Sequence, residues 1–132
     1  MQAGGVGLQV LTAVTKSPSG QNYESNESDS DTITYLTMAQ LCPLATWNSP
    51  FERALHQGRR LGEWDQRAGD AFRVIRNRED LAQLVEERKQ GQPVLGGVFG
   101  IEGANALAGD LAHLDRLDIL GLRVVGLAAF FA

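Results

Sequence analysis

The stretch VLGGVFGIEGANALAGDLAHLDRL, residues 94–117, decides how this sequence folds. It begins as a continuous apolar run and ends that run on a single acid, Glu102. Apolar runs without polar alternation are typical of parallel strands that are buried on both faces. The sequence GDLAHLDRLDILG, which follows this run, predicts a helix that packs on one side. Its leucines recur at three-residue spacing: Leu111, Leu114, Leu117 and Leu120. The stretch therefore predicts a strand and a helix of an α/β fold, with a carboxylate at the end of the strand.

Further strands and helices are predicted before and after this stretch. Strands are predicted at 6–14, 71–77, 93–101 and 122–131. Helices are predicted at 32–42, after Ser49, after Asn77 and over the leucine-rich part. Because strands that alternate with helices form parallel sheets, the expected fold class is α/β. Residues 77–131 alone form a helix–strand–helix–strand unit.

Two of these helices carry recognisable start signals. Ser49, Pro50 and Glu52 fit a capping box, with proline at the first helical position. Asn77 is the predicted cap of the next helix. That helix is expected to bury one apolar face, which consists of Leu81, Leu84 and Val85.

Composition excludes several classes of protein. The 132 residues are sufficient for one domain with a core, and the net charge of −4 with no basic stripe argues against a nucleic-acid partner. The apolar runs are far shorter than the ~20 residues that span a membrane. No signal peptide is recognised at the start, and localisation stays open. The single cysteine, Cys42, excludes an internal disulfide and is interpreted as a small buried residue.

A polar loop spans about 15–31, and its second half, about 24–31, is acidic. The acids Glu24, Glu27, Asp29 and Asp31 fit either a solvated loop or a cation site.

His56 and His113 lie on or near the polar sides of helices and are interpreted as surface or boundary residues. Nucleotide-binding fingerprints, the GxSxG elbow and HExxH are absent from the sequence.

The first and last predicted strands have no covering helix beyond them. An α/β domain seldom begins and ends on uncovered strands, so we expect residues 1–132 to be a piece of a larger α/β protein. Such a piece would expose strand edges, which favours self-association.

Residues 100–131, GIEGANALAGDLAHLDRLDILGLRVVGLAAFF, resemble the membrane dipeptidase (renal dipeptidase) family of zinc metallopeptidases. Upstream, VGLQVLTAVTKSPSGQNYESN and TWNSPFERALHQ also resemble bacterial members. The resemblance implies a (β/α)8 TIM barrel that hydrolyses small dipeptides at a two-zinc site. The chain would then be a fragment from the N-terminal half, with about three or four of the eight parallel strands.

The family's bridging zinc ligand corresponds to Glu102 in this sequence. Two family histidines are replaced here: Asn105 stands in place of the first, and Ala129, after Ala128, in place of a substrate-contacting one. The remaining ligands belong to strands that this chain does not contain. We therefore expect weak zinc binding and no catalysis by residues 1–132 alone.

Two further interpretations stay open. One is a degenerate, non-catalytic homologue with a binding or structural role, which the alanines at 128 and 129 favour. The other is an unrelated small α/β binding domain that uses the acidic loop. A barrel fragment predicts marginal stability, whereas a small binding domain predicts independent, cooperative folding.

Overall fold

The computed structural model describes residues 4–20 and 29–127, and within them the chain forms a parallel sheet with helices on it. The strands are β1 (Leu8–Val14), β2 (Phe72–Val74), β3 (Leu95–Glu102) and β4 (Leu122–Gly126). The helices are α1 (Ile33–Ala39), α2 (Pro50–Ala68), α3 (Arg78–Lys89) and α4 (Ala112–Ile119). The predicted α/β class with parallel strands is confirmed, whereas the closed barrel stays a prediction. Ala128 and Ala129 lie outside the described residues.

Strand β3 is the centre of the sheet. β1 pairs with it along its whole length, from Leu8 opposite Gly96 to Val14 opposite Glu102. On the other side of β3, β2 pairs with residues 95–97 and β4 with residues 99–102. All pairs are parallel, so the carboxyl ends of β1, β3 and β4 lie at the same edge of the sheet.

Helix α2 covers one face of this sheet and forms the main core. Its buried side chains include Phe51, Leu55 and Leu61. They pack with Phe99 and Ile101 of β3. Helix α4 adds a further buried residue, Leu117, to the same cluster. Burial of these apolar side chains is the main source of stability for this layer.

The opposite face of the sheet is covered only where the strands begin. There Leu84 of α3 packs with Ile75 and Val94. Further along, Val10 and Val14 of β1 are 47% and 46% exposed. The prediction that β1 is buried on both faces is wrong, because in the described chain no helix covers this part of the sheet. Exposure along β1 alternates residue by residue.

Glycine in β3 makes room for side chains from the neighbouring strands. A Cβ at Gly97 would lie 2.6 Å from Cζ of Phe72 and 3.0 Å from Cδ1 of Leu11. Real Cβ atoms do not approach other atoms so closely, so the partly buried ring of Phe72 would have to move if position 97 carried a side chain. The phenyl ring of Phe72 therefore fills the volume that a side chain at position 97 would occupy.

The expected apolar faces of α3 and α4 are only partly buried. In α3, Leu84 is buried, but Leu81 and Val85 are 39% and 46% exposed. Leu84 packs against Ile75 and Val94, and the rest of this apolar face extends beyond the sheet residues that it covers. In α4, Leu117 is buried, whereas Leu111 is 76% exposed. Leu111 precedes the first turn of that helix, and its side chain is not on the packed side.

Both predicted helix caps are confirmed. The Ser49 hydroxyl accepts a hydrogen bond from the backbone N–H of Glu52 at 3.2 Å. The Asn77 side-chain oxygen accepts from the backbone N–H of Asp80 at 2.7 Å. Each bond satisfies an N–H that has no partner inside its helix.

Replacing Ser49 by alanine is expected to lower the free energy of unfolding by about 0.5–2 kcal/mol, because the first turn of α2 loses its cap. Urea denaturation of both chains measures the difference. Ser49→Asp is the matched control, since aspartate caps equally well. Equal stability of Ser49→Ala and the unsubstituted chain would show that this cap contributes nothing.

Candidate functional site

The candidate site lies at the edge of the sheet where β1, β3 and β4 end. Glu102 is the last residue of β3 and is opposite Val14 of β1 and Gly126 of β4. Side chains alternate between faces along a strand, so Glu102 shares a face with Gly100. A Cβ at Gly100 would contact the side chains of Thr12 and Val124. Gly100, and with it Glu102, therefore lies on the uncovered face of the sheet. The Glu102 side chain therefore extends from the open face at the carboxyl edge of the sheet.

The Glu102 carboxylate has no protein partner in the part of the chain that the structure describes. No hydrogen bond or ion pair to it is found there, although the residue is partly buried. An ionised carboxylate offers two oxygens that accept hydrogen bonds or bind a cation. Both oxygens of Glu102 are available for an additional ligand.

The backbone just after Glu102 forms hydrogen bonds with the end of β4. Gly103 has a φ of 89°, a conformation that favours glycine. Its N–H donates to the carbonyl of Gly126 at 3.1 Å, and the N–H of Ala104 donates to the carbonyl of Leu127 at 3.2 Å. These bonds fix the end of β3, and with it the base of the Glu102 side chain, against the end of β4.

The resemblance places family histidines at positions 105 and 129, and the structure describes only the first of these positions. Asn105 is exposed in the short 3-10 turn Ala104–Leu107 that follows Glu102. Ala129 lies outside the described residues. The assignment of both positions to family histidines stays a prediction.

Glu102 does not belong to a complete set of metal ligands. Within residues 4–20 and 29–127, no three His, Cys, Asp or Glu side chains lie close enough together to hold a metal ion. His113 stacks on the ring of Phe51, with 3.6 Å between centroids, and its Nδ1 lies 2.7 Å from the Leu107 carbonyl. A zinc ion needs three or four protein ligands. The described residues fit the family's zinc site only in the single carboxylate of Glu102.

No family model, curated protein or solved structure matches the chain. A relation to the dipeptidase family is thus a proposal based on the resemblance of the quoted motifs. Among the helices that the structure describes, none is long and apolar enough to cross a membrane.

A buried arginine near the end of β1 was not predicted from the sequence. Arg53 of α2 is only 3% exposed. It donates to the carbonyl of Thr15, just after β1, at 2.7 Å, and to the carbonyl of Thr46 at 2.6 Å. The available signal was its position beside Ala54 and Leu55 on the buried side of α2. A charged residue there needs partners, because an unpaired buried charge is very costly.

Asp31 supplies the opposite charge, and this decides its role in the polar loop. Its carboxylate lies 2.5 Å from Nη1 of Arg53. The other carboxylate oxygen accepts from the N–H groups of Ser17 and Ile33 at 3.2 and 3.1 Å. Asp31 is therefore a structural ion-pair partner that joins the two ends of the loop. Glu24 and Glu27 lie outside the described residues.

Proposed function

We propose that Glu102 is the bridging carboxylate of a two-zinc dipeptidase centre in a (β/α)8 barrel, of which residues 1–132 form a part. One observation carries the proposal. The central parallel strand ends on a partly buried carboxylate that has no partner among the described residues. Barrel enzymes place their reacting groups at the carboxyl ends of the strands.

The uncovered sheet face supports the same proposal. In a barrel, helices cover the outside, and apolar side chains from the strands fill the inside. Here α2 covers one face. On the other face α3 covers only the beginning of the strands, and three valines beyond it remain exposed: Val10, Val14 and Val124. Glu102 extends from this uncovered part of the sheet, which the proposal assigns to the inside of the barrel.

Zinc ions at such a centre would lower the pKa of a shared water and polarise the scissile carbonyl. The contribution of this chain is the negative charge of Glu102, which offsets the repulsion between two cations. Because the described residues offer only this ligand at the edge of the sheet, catalysis needs groups from outside them.

A degenerate homologue without activity is the second candidate. It is favoured by Ala128 and Ala129, the second of which stands where the resemblance places a substrate-contacting histidine of the family. Alanine cannot hydrogen-bond a developing oxyanion, and loss of one such donor costs about 10²–10³ in rate. On this hypothesis Glu102 would keep its place in the fold without bridging metals.

The isolated 132-residue chain is expected to hydrolyse no dipeptide in an EDTA-sensitive way and to bind zinc weakly. The assay uses a small panel of dipeptides with added zinc, and zinc affinity is measured by titration calorimetry. The control is the product purified from its native cells, with its intact mass determined. EDTA-sensitive turnover by the 132-residue chain alone would contradict the expectation.

The native product separates the two candidate functions. A mass well above 14.3 kDa, with bound zinc and dipeptide turnover, would support the dipeptidase. A longer product that binds no zinc and turns over no dipeptide would overturn it in favour of the degenerate homologue. A product of 14.3 kDa would likewise count against a complete zinc centre.

A further inference from the structure

We propose that Arg53 and Asp31 form a latch that holds α1 and the residues beside it, 29–47, against α2, and that this part of the chain opens as one unit while the sheet stays folded. The proposal is independent of any role for Glu102. Three observations support the latch: the hydrogen bonds of Arg53, the small apolar surface that α1 buries, and a cavity between α1 and α2.

Every N–H of the Arg53 guanidinium has an acceptor. A guanidinium carries five N–H donors. Besides the carbonyls of Thr15 and Thr46, the acceptors are the Asp31 carboxylate at 2.5 Å, the Thr34 hydroxyl at 2.9 Å and the Trp47 carbonyl. These five acceptors belong to three separate segments: the end of β1, the start of α1 and the turn before α2. One side chain of α2 thus joins all three, and no donor remains for a ligand.

Helix α1 has little apolar attachment to the rest of the chain. Its one buried residue is Thr37. Tyr35 and Leu36 are 75% and 49% exposed, and Leu41 just after the helix is 90% exposed. Regions with few buried apolar contacts open at low free energy. Polar bonds therefore hold α1 in place: those to Arg53, together with the bonds of Thr32 and Asp31 to Ser17.

A small cavity lies beneath α1. It has a volume of about 130 Å³ and is lined by Leu36 and Thr37 of α1, by Cys42, and by His56 of α2. Because the space between the two helices is not filled, separating them sacrifices few contacts. Cys42, the one cysteine of the chain, was predicted to be buried but is only partly buried, because it lies in the turn after α1. Opening would increase its exposure, so the rate at which this thiol is labelled reports the movement.

Hydrogen exchange of the folded chain tests the latch. Asp31→Asn keeps the size of the side chain and removes its charge, and Arg53→Met removes every donor. Hydrogen bonds to charged groups are strong enough that losing one should raise the opening equilibrium about tenfold or more. Amides at 33–42 are expected to exchange about tenfold faster in Asp31→Asn, while amides at 95–102 keep their protection. Labelling of Cys42 should accelerate in parallel.

The matched control is Glu87→Gln. Glu87 forms a similar ion pair with Arg73, with a 2.9 Å N–O distance, and joins α3 to β2. The hydrogen bond from Arg73 lowers the pKa of Glu87 below its ordinary value, so this carboxylate stays ionised to lower pH than a free glutamate. This variant should leave exchange at 33–42 unchanged.

Two results would overturn the latch. One is unchanged exchange at 33–42 in Asp31→Asn. The other is an equal acceleration at 33–42 and 95–102, which would show that α1 opens only with the whole sheet. If Arg53→Met does not fold, Asp31→Asn decides the question by itself.

Discussion

A Phe99→Ala variant is expected to unfold with about 3–5 kcal/mol less free energy than the unsubstituted chain. Phe99 is 2% exposed in the middle of the central strand. Its ring lies directly under α2, where a Cβ at Gly58 would be 2.9 Å from Cε1 of Phe99. Truncation removes buried apolar surface and leaves a cavity between helix and sheet, and both effects destabilise the fold. A typical domain has only about 5–15 kcal/mol of stability, so this loss is large.

Urea denaturation followed by circular dichroism measures the difference for Phe99→Ala. The matched control is Tyr35→Ala, which truncates an aromatic side chain that is 75% exposed. Surface changes of this kind usually stay within about 0.5 kcal/mol. Equal effects of the two substitutions would contradict the assignment of Phe99 to the core.

On the proposed dipeptidase function, Glu102→Gln in the native product is expected to reduce dipeptide hydrolysis by more than about 100-fold. Loss of a residue that merely orients a metal ligand costs about 10–100-fold, and a direct bridging ligand should cost more. Glutamine keeps the size of the side chain but lacks the negative charge that offsets two adjacent cations. We therefore expect the zinc content to fall together with kcat/KM.

Glu63→Gln is the control for this substitution. Glu63 lies on α2 in an exposed pair with Arg67, 3.9 Å apart, and such pairs contribute little. Both variants should show the same circular dichroism spectrum. Full activity and full zinc content in Glu102→Gln would remove Glu102 from the metal centre.

Local features of the fold could be predicted from the sequence because local interactions decide them. Ser49 and Asn77 cap their helices through bonds that span only three residues, and a capping residue is visible in the sequence. The continuous apolar run before Glu102 was long enough to identify the central strand. The position of Glu102 at the end of that strand followed directly.

Features that depend on distant parts of the chain could not be predicted. The exposure of Val10 and Val14 reflects which helices cover the sheet, and a single strand does not contain that information. Arg53 is another example, since its partner Asp31 is 22 residues away and the Thr15 carbonyl 38 residues away. The burial of the apolar faces of α3 and α4 was overestimated for the same reason.

The close approach of Phe72 to Gly97 also constrains how this sequence can change. A larger residue at 97 becomes acceptable only when the ring at 72 shrinks, because both would occupy the same space. The two positions should therefore vary as a pair among related chains, with glycine accompanying an aromatic ring. Substitution at one of them alone would be removed by selection, so evolution would have to pass through a destabilised intermediate to exchange the pair.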